Sequence, residues 1–91
     1  MEDVVDKAHL LKAIEELNEC SAAAARCLMQ GIDEREPVAG KLNRQWLQDE
    51  IADVYATLSL LEDRFSLSLP EIRERAKKKR EHLHGWHEQI K

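Results

Sequence analysis

The segment RQWLQDEIADVYATLSLLEDRF, residues 44–65, decides the fold class. Its apolar residues Leu47, Ile51, Val54, Leu58, Leu61 and Phe65 recur in steps of four and three, the repeat of one face of an α-helix rather than the alternation of a strand. That face reads as core. Within the segment, Glu50-Ile51-Ala52-Asp53 sets two acids three residues apart, to one side of the stripe and beside Trp46 and Thr57. Earlier in the chain Glu15-Glu16-Leu17-Asn18-Glu19 repeats the pattern, with Glu16 and Glu19 on a common helix face. Like charges at this spacing destabilise an isolated helix by a few tenths of a kcal/mol, and no Lys or Arg follows Glu15, Glu16 or Glu19 at i+4. A bound cation would supply the missing partner.

Working outward from this helix, Asn43 fits an N-cap whose side-chain oxygen takes an orphan amide. Residues 32–42 hold Pro37, Gly40 and the charged run Asp33-Glu34-Arg35-Glu36, and read as a loop. Before it, roughly Asp3 to Gln30 is a second amphipathic helix with Leu10, Ile14, Leu17, Ala24 and Leu28 as its stripe, stopped by Gly31. At about 100° per residue, Glu16 and Glu19 lie roughly 120° and 180° from Leu10, among the small residues Ala8, Ala23 and Cys27. Such a helix can be contacted on both sides, by core and by a ligand or second subunit. On the C-terminal side, Ser66 to Leu69 is a link, and Ser68-Leu69-Pro70-Glu71 reads as a helix start with Ser68 capping and Pro70 in the first turn. The third helix runs to about Leu83 or past Gly85 to the end, and carries Lys77-Lys78-Lys79-Arg80.

The expected architecture is all-α: a single domain over residues 1–91, a bundle of three to four helices completed by homo-oligomerisation. A chain of this length buries only roughly 60–65% of its unfolded surface, so association is a natural way to enlarge the core. A net charge of -4 with 35% charged residues argues against a nucleic-acid binder. The chain has no apolar run of the ~20 residues a membrane span needs, and Met1-Glu2-Asp3 is acidic where a signal peptide is basic, so a cytoplasmic location is expected. Cys20 and Cys27, about 10 Å apart along one helix, are too distant for a disulfide and read as reduced packing residues. His82, His84 and His87, near Gly85 and the terminus, read as surface residues.

Glu16, Glu19, Glu50 and Asp53 together form an all-oxygen set, which suits hard cations such as Mg²⁺ or Mn²⁺ and not zinc. An acidic site repels a nucleoside triphosphate unless a divalent metal reverses the local sign, whereupon the same acids become its anchor. The competing reading is a solvated or ion-paired acidic face.

The joint pattern, Glu15-Glu16-x-x-Glu19 followed by Glu50-x-x-Asp53 in a short all-helical chain, resembles the signature of the MazG-like all-α nucleoside triphosphate pyrophosphohydrolases. Gly31-Ile32-Asp33, Asn43 opening the second helix, and a third helix with Lys77 to Arg80 and then Trp86 extend the likeness to small phage and bacterial members, although the interval between the two acidic halves is at the long end for that family. The resemblance implies Mg²⁺-dependent hydrolysis of a (deoxy)nucleoside triphosphate to monophosphate and pyrophosphate. It implies Glu16, Glu19, Glu50 and Asp53 as metal ligands, and Glu15 with Glu19 as catalytic acids. Asn43, Lys79 and Trp86 are the implied substrate contacts, Lys79 by its likeness to the family's C-terminal Lys, and a homodimer or homotetramer is the implied assembly. Asn43 has capping as its alternative role, and Trp46 or Trp86 has ordinary packing as the alternative to stacking on a base. The rival functions are phosphoribosyl-ATP pyrophosphohydrolase, which shares the acid pattern, and a non-catalytic helical interaction module.

Overall fold

A computed structural model describes residues 3–91 and is all-helical, with α1 at Val4–Gln30, α2 at Asn43–Arg64 and α3 at Leu69–Gln89. Each boundary has a local cause. Asp3 caps α1, its carboxylate accepting from the Val5 amide at 2.7 Å. Gly31 ends it at φ 104°, a left-handed conformation that favours glycine, with its amide on the Cys27 carbonyl. Ser68 caps α3 as expected, accepting from the Glu71 amide at 3.3 Å, and α3 continues through Gly85.

α1 and α2 form an antiparallel hairpin and, among the described residues, are the only helices in extensive contact. The contact does not use the leucine stripe of α1. The residues of α1 that turn inward are Ala13, Glu16, Cys20, Ala23 and Cys27, an uninterrupted three-four repeat centred about 100° round the helix from the stripe expected to be core. Ile14 and Leu28 remain 54% and 87% exposed, and Ile51 and Leu58 of α2 are also exposed, while Leu47, Val54, Leu61 and Phe65 are half-buried. The physical reason is fit and register. Small side chains let two helix axes approach closely, and polar locks sit at both ends of that seam. At one end Arg64 bonds both Asp3 and Asp6. At the other, Cys27 Sγ donates to the Asn43 carbonyl at 3.6 Å.

Asn43 is the most buried residue of the described chain. It does not cap α2: Leu42 occupies the cap position without a side-chain bond, and Asn43 is the first helical residue. Its amide group instead reaches back to α1, donating to Gln30 Oε1 at 3.2 Å and to the Gly31 carbonyl at 3.0 Å. Its backbone amide donates to the Glu34 carbonyl. One residue thus ties the end of α1, the loop and the start of α2.

The loop is held by bonds of its own. Arg35 and Leu42 form an isolated antiparallel bridge. The Glu36 carboxylate accepts from the Val38 and Ala39 amides, and these bonds hold its carboxyl below the ordinary range. Arg44 grips Asp33 with two bonds of 2.8 and 3.1 Å. Both cysteines are unpaired and half-buried.

α3 stands apart. Every residue from Leu69 to Gln89 is exposed, and the radius of gyration is 16.2 Å against about 12 Å for a compact chain of this length.

Replacing Asn43 by Ala removes the donor to Gln30 Oε1 and leaves the Gly31 carbonyl only the longer, 3.3 Å bond from the Glu34 amide in the buried junction. Unfolding by urea should show a loss of about 1–3 kcal/mol, whereas Asn18→Ala, on the exposed side of α1, should change stability by less than about 0.5 kcal/mol.

Candidate metal centre

The seam that buries small residues also carries the acids. Glu16 lies on the inward repeat of α1, flanked by Ala13 and Cys20, so its side chain is only 12% exposed. Glu50 lies on the facing repeat of α2, one turn before Val54, and is half-buried. Asp53, three residues after Glu50, stands beside it at the solvent edge. One carboxylate oxygen from each of Glu16, Glu50 and Asp53 lies within 4.8 Å of the others. That spread is short enough for one hard cation to hold all three at ligand distances of ~2.0–2.6 Å.

The hydrogen bonding of this cluster is incomplete. Glu16 Oε2 and Glu50 Oε2 are both shielded from solvent and have no partner. An unpartnered buried carboxylate oxygen is costly, and the cation paired with Glu16 is Lys12, whose Nζ is 3.5 Å from Glu16 Oε1 and 3.4 Å from Glu15 Oε2. Lys12 precedes Glu16 at i−4, the weaker order for a helical ion pair. Scanning only the residues after the acids misses it, although the spacing is plain in the sequence. Lys12 leaves the two buried oxygens untouched.

Glu19 sits at the rim of the same cluster. Its carboxyl is pushed above the ordinary range, first by the negative charge of Glu16, then by loss of water, and then by Glu50 and Glu15. It opens onto a cleft of about 390 Å³ lined by Glu19, Ala23, Arg26, Glu36, Trp46 and Glu50. The Lys41 ammonium stands 4.6 Å and the Arg26 guanidinium 5.6 Å from the centre of the Trp46 ring. Lys41 also pairs with Asp49, which holds that carboxyl below its ordinary range. Arg26 and Lys41 are cations at this cleft that the sequence pattern did not single out. Arg26 is one basic residue in a run of alanines, and Lys41 is brought in by the fold of the loop.

The other residues singled out in the sequence lie elsewhere. Glu15 is exposed and paired with Lys12. Asn43 is enclosed at the hairpin junction, away from the cleft lining. Lys79 and Trp86 are exposed on α3, which contributes nothing to the cleft. Lys79 lines a separate open groove with Leu67, Ile72 and Ala76.

No family model, curated protein or solved structure matches the chain.

The pH dependence of stability follows from Glu19. A carboxyl whose folded-state pKa lies above its unfolded value binds its proton more tightly when folded. The folded state is then disfavoured from the ordinary carboxylate value, ~4.3, upward, and fully so above the raised value. Glu19→Gln should raise the melting temperature at neutral pH in chelator-treated protein and leave it unchanged near pH 3.5, about a unit below that range. Mg²⁺ should raise the melting temperature of the wild type more than that of Glu19→Gln. Equal shifts in the two proteins would separate Glu19 from the cation.

Proposed function

We propose that the chain is a metal-dependent nucleoside triphosphate pyrophosphohydrolase of the MazG-like type, working as a homo-oligomer. The observation that carries this reading is that Glu16, Glu50 and Asp53 bring carboxylate oxygens within 4.8 Å of one another between two helices, with one oxygen of Glu16 and one of Glu50 shielded and unpartnered. Glu16, Glu50 and Asp53 hold a divalent cation, with Glu19 completing the set from the rim. All the donors are carboxylate oxygens, which fits Mg²⁺ or Mn²⁺.

The chain's own residues would divide the work as follows. Mg²⁺, when bound, neutralises charge on the phosphoryl oxygens and lowers the pKa of water. Glu19, at the rim beside the other acids, would accept the proton of the attacking water. The water oxygen bonds to phosphorus as the α–β anhydride bond breaks, and pyrophosphate departs. Arg26, at the far side of the cleft, meets a polyanion that the acids alone would repel. Trp46 offers a ring edge for a base, its face being shared with Lys41 and Arg26. Glu15, committed to Lys12, orients that cation beside the site. Lys79 and Trp86 would reach the substrate only from a neighbouring copy, because α3 of the same chain does not border the cleft.

The test is pyrophosphate release from a panel of deoxynucleoside and ribonucleoside triphosphates, with Mg²⁺ and with chelator. Turnover should require the metal, and Glu50→Ala or Asp53→Ala should lower it by at least ~100-fold with helicity retained. Turnover confined to phosphoribosyl-ATP would identify the rival enzyme. An absence of metal-dependent turnover on every nucleotide would leave a helical interaction module.

A further inference from the structure

A second groove borders the metal centre on the side away from Trp46. It lies towards the open end of the hairpin, has a volume of about 390 Å³, and is lined by Val5, Ala8, His9 and Lys12 of α1 with Thr57 and Leu60 of α2. On both helices it continues the strip that carries the acids. By the 100° repeat, Val5, His9, Lys12, Glu16, Glu19 and Ala23 fall within about 40° of one line along α1, and Trp46, Glu50, Asp53, Thr57 and Leu60 within about 40° of one line along α2. The antiparallel packing lays these two lines side by side. From the open end to the loop, the strip runs from an apolar groove through three carboxylates to the cationic cleft.

We infer that this groove seats the base of the nucleoside triphosphate, so that the substrate lies lengthwise on the strip with its base towards the open end and its triphosphate towards Arg26. The inference rests on the proposed hydrolase activity for the position of the phosphates. It adds the seat and the direction of the rest of the molecule.

Spacing is the first argument. Lys12 and Thr57 each stand one turn, about 6 Å of rise, from Glu16 and Asp53, and Ala8 and Leu60 stand roughly 10–12 Å away. A phosphate held through the acids therefore leaves its sugar over Lys12 and Thr57 and its base over Ala8 and Leu60.

The second argument is the chemistry of the lining. Ala8 gives a flat floor between Val5 and Leu60, which are 48% and 51% exposed, so a planar ring laid there covers apolar surface that water otherwise meets. Polar groups stand at the rim only. His9 is half-buried, and a neutral imidazole offers one donor and one acceptor to the edge of a base. The Thr57 hydroxyl donates to the Asp53 carbonyl at 2.8 Å, which leaves its oxygen to accept from an amino or hydroxyl group. The charge of Lys12 is already met by Glu15 and Glu16.

The third argument is what the opposite end lacks. Lys41 and Arg26 stand against the Trp46 ring, so the cationic cleft leaves a base only a ring edge, and stacking on the face would displace the cations that a polyphosphate needs. The two ends suit the two halves of the substrate.

Calorimetric titration of the full chain with Mg²⁺ and methylene-bridged analogues, which resist hydrolysis, tests the assignment. Nucleoside triphosphate analogues with each base are compared with bridged tripolyphosphate, which has the polyanion and no base. At least one nucleotide should bind tenfold or more tightly than tripolyphosphate. Ala8→Leu, which fills the floor, should weaken nucleotide binding at least tenfold, and Leu60→Ala at least threefold, each leaving tripolyphosphate within about twofold of the wild type. Both positions are exposed, and Ala and Leu are both good helix formers, so far-UV circular dichroism should be unchanged. Equal affinity of the wild type for tripolyphosphate and every nucleotide, or binding of neither, would overturn the inference. So would a preference for nucleotide that survives both groove variants and is lost in Trp46→Leu, which would put the base at the cationic end. Pyrophosphate release from ordinary substrates is scored separately. Turnover without a preference for nucleotide over tripolyphosphate removes the groove and leaves the enzyme, whereas the preference without turnover leaves the groove and removes the enzyme.

Discussion

The structure depends on which side of α1 meets α2. Two sides were available. One presents leucines with the larger transfer free energy per residue, the other alanines, cysteines and a glutamate. Within one chain the second is used, because a hairpin is fixed by its ends as well as by its seam. Arg64 on Asp3 and Asp6 closes the open end, and Asn43 on Gln30 and Gly31 closes the loop end. Between those locks the small repeat of α1 is the surface that faces α2. Ile14, Leu17 and Leu28 stay exposed.

This choice creates the candidate site. Glu16 would be an ordinary solvated acid if the leucine side had packed on α2, and Glu50 would have no carboxylate opposite it. Placing the small side inward draws Glu16 into the seam, one turn from Ala13 and two from Ala23, the buried alanines of α1. It is therefore the packing of neutral residues that confines two negative charges at close range. Removing either charge relieves that repulsion, and a hard cation relieves it without loss of the acids. The raised proton affinity of Glu19 reports the same field from the rim.

Much of this was readable in the sequence, for reasons that separate what is local from what is not. The helices, the Gly31 stop and the Ser68 cap each depend on a few consecutive residues, and they lie where propensity and spacing put them. The grouping of Glu16 with Glu50 and Asp53 was also legible, because a carboxylate pair at i, i+3 without a following Lys is an anomaly in either helix. The inward side of α1 was not legible. Periodicity identifies an apolar stripe but does not say whether the same chain or another covers it, and the stripe was assigned to the intrachain core. Asn43 was read as a cap because a cap is a local role, while its actual bonds run to residues that only the folded hairpin brings near. Arg26 and Lys41 were passed over for the same reason, since no local pattern connects them to the acids.

The placement of α3 follows from the same constraint. A helix whose stripe carries Lys79 beside Ile72 and Leu83 needs a surface that is apolar in part and acidic in part. The leucine stripe of α1 is free of charge, Glu62 and Arg44 of α2 lie within about 20° of Ile51, and the acidic side offers Glu19, Glu36 and Glu50 around Trp46. The chain is thus divided between an acidic hairpin, whose fourteen carboxylates outnumber seven basic residues before Leu69, and a helical arm in which seven basic residues outnumber four acids. Attraction between segments of opposite sign favours their meeting, whereas an uncharged aliphatic side gains only from apolar contact. The two preferences act on different sides of the same layer and so do not compete.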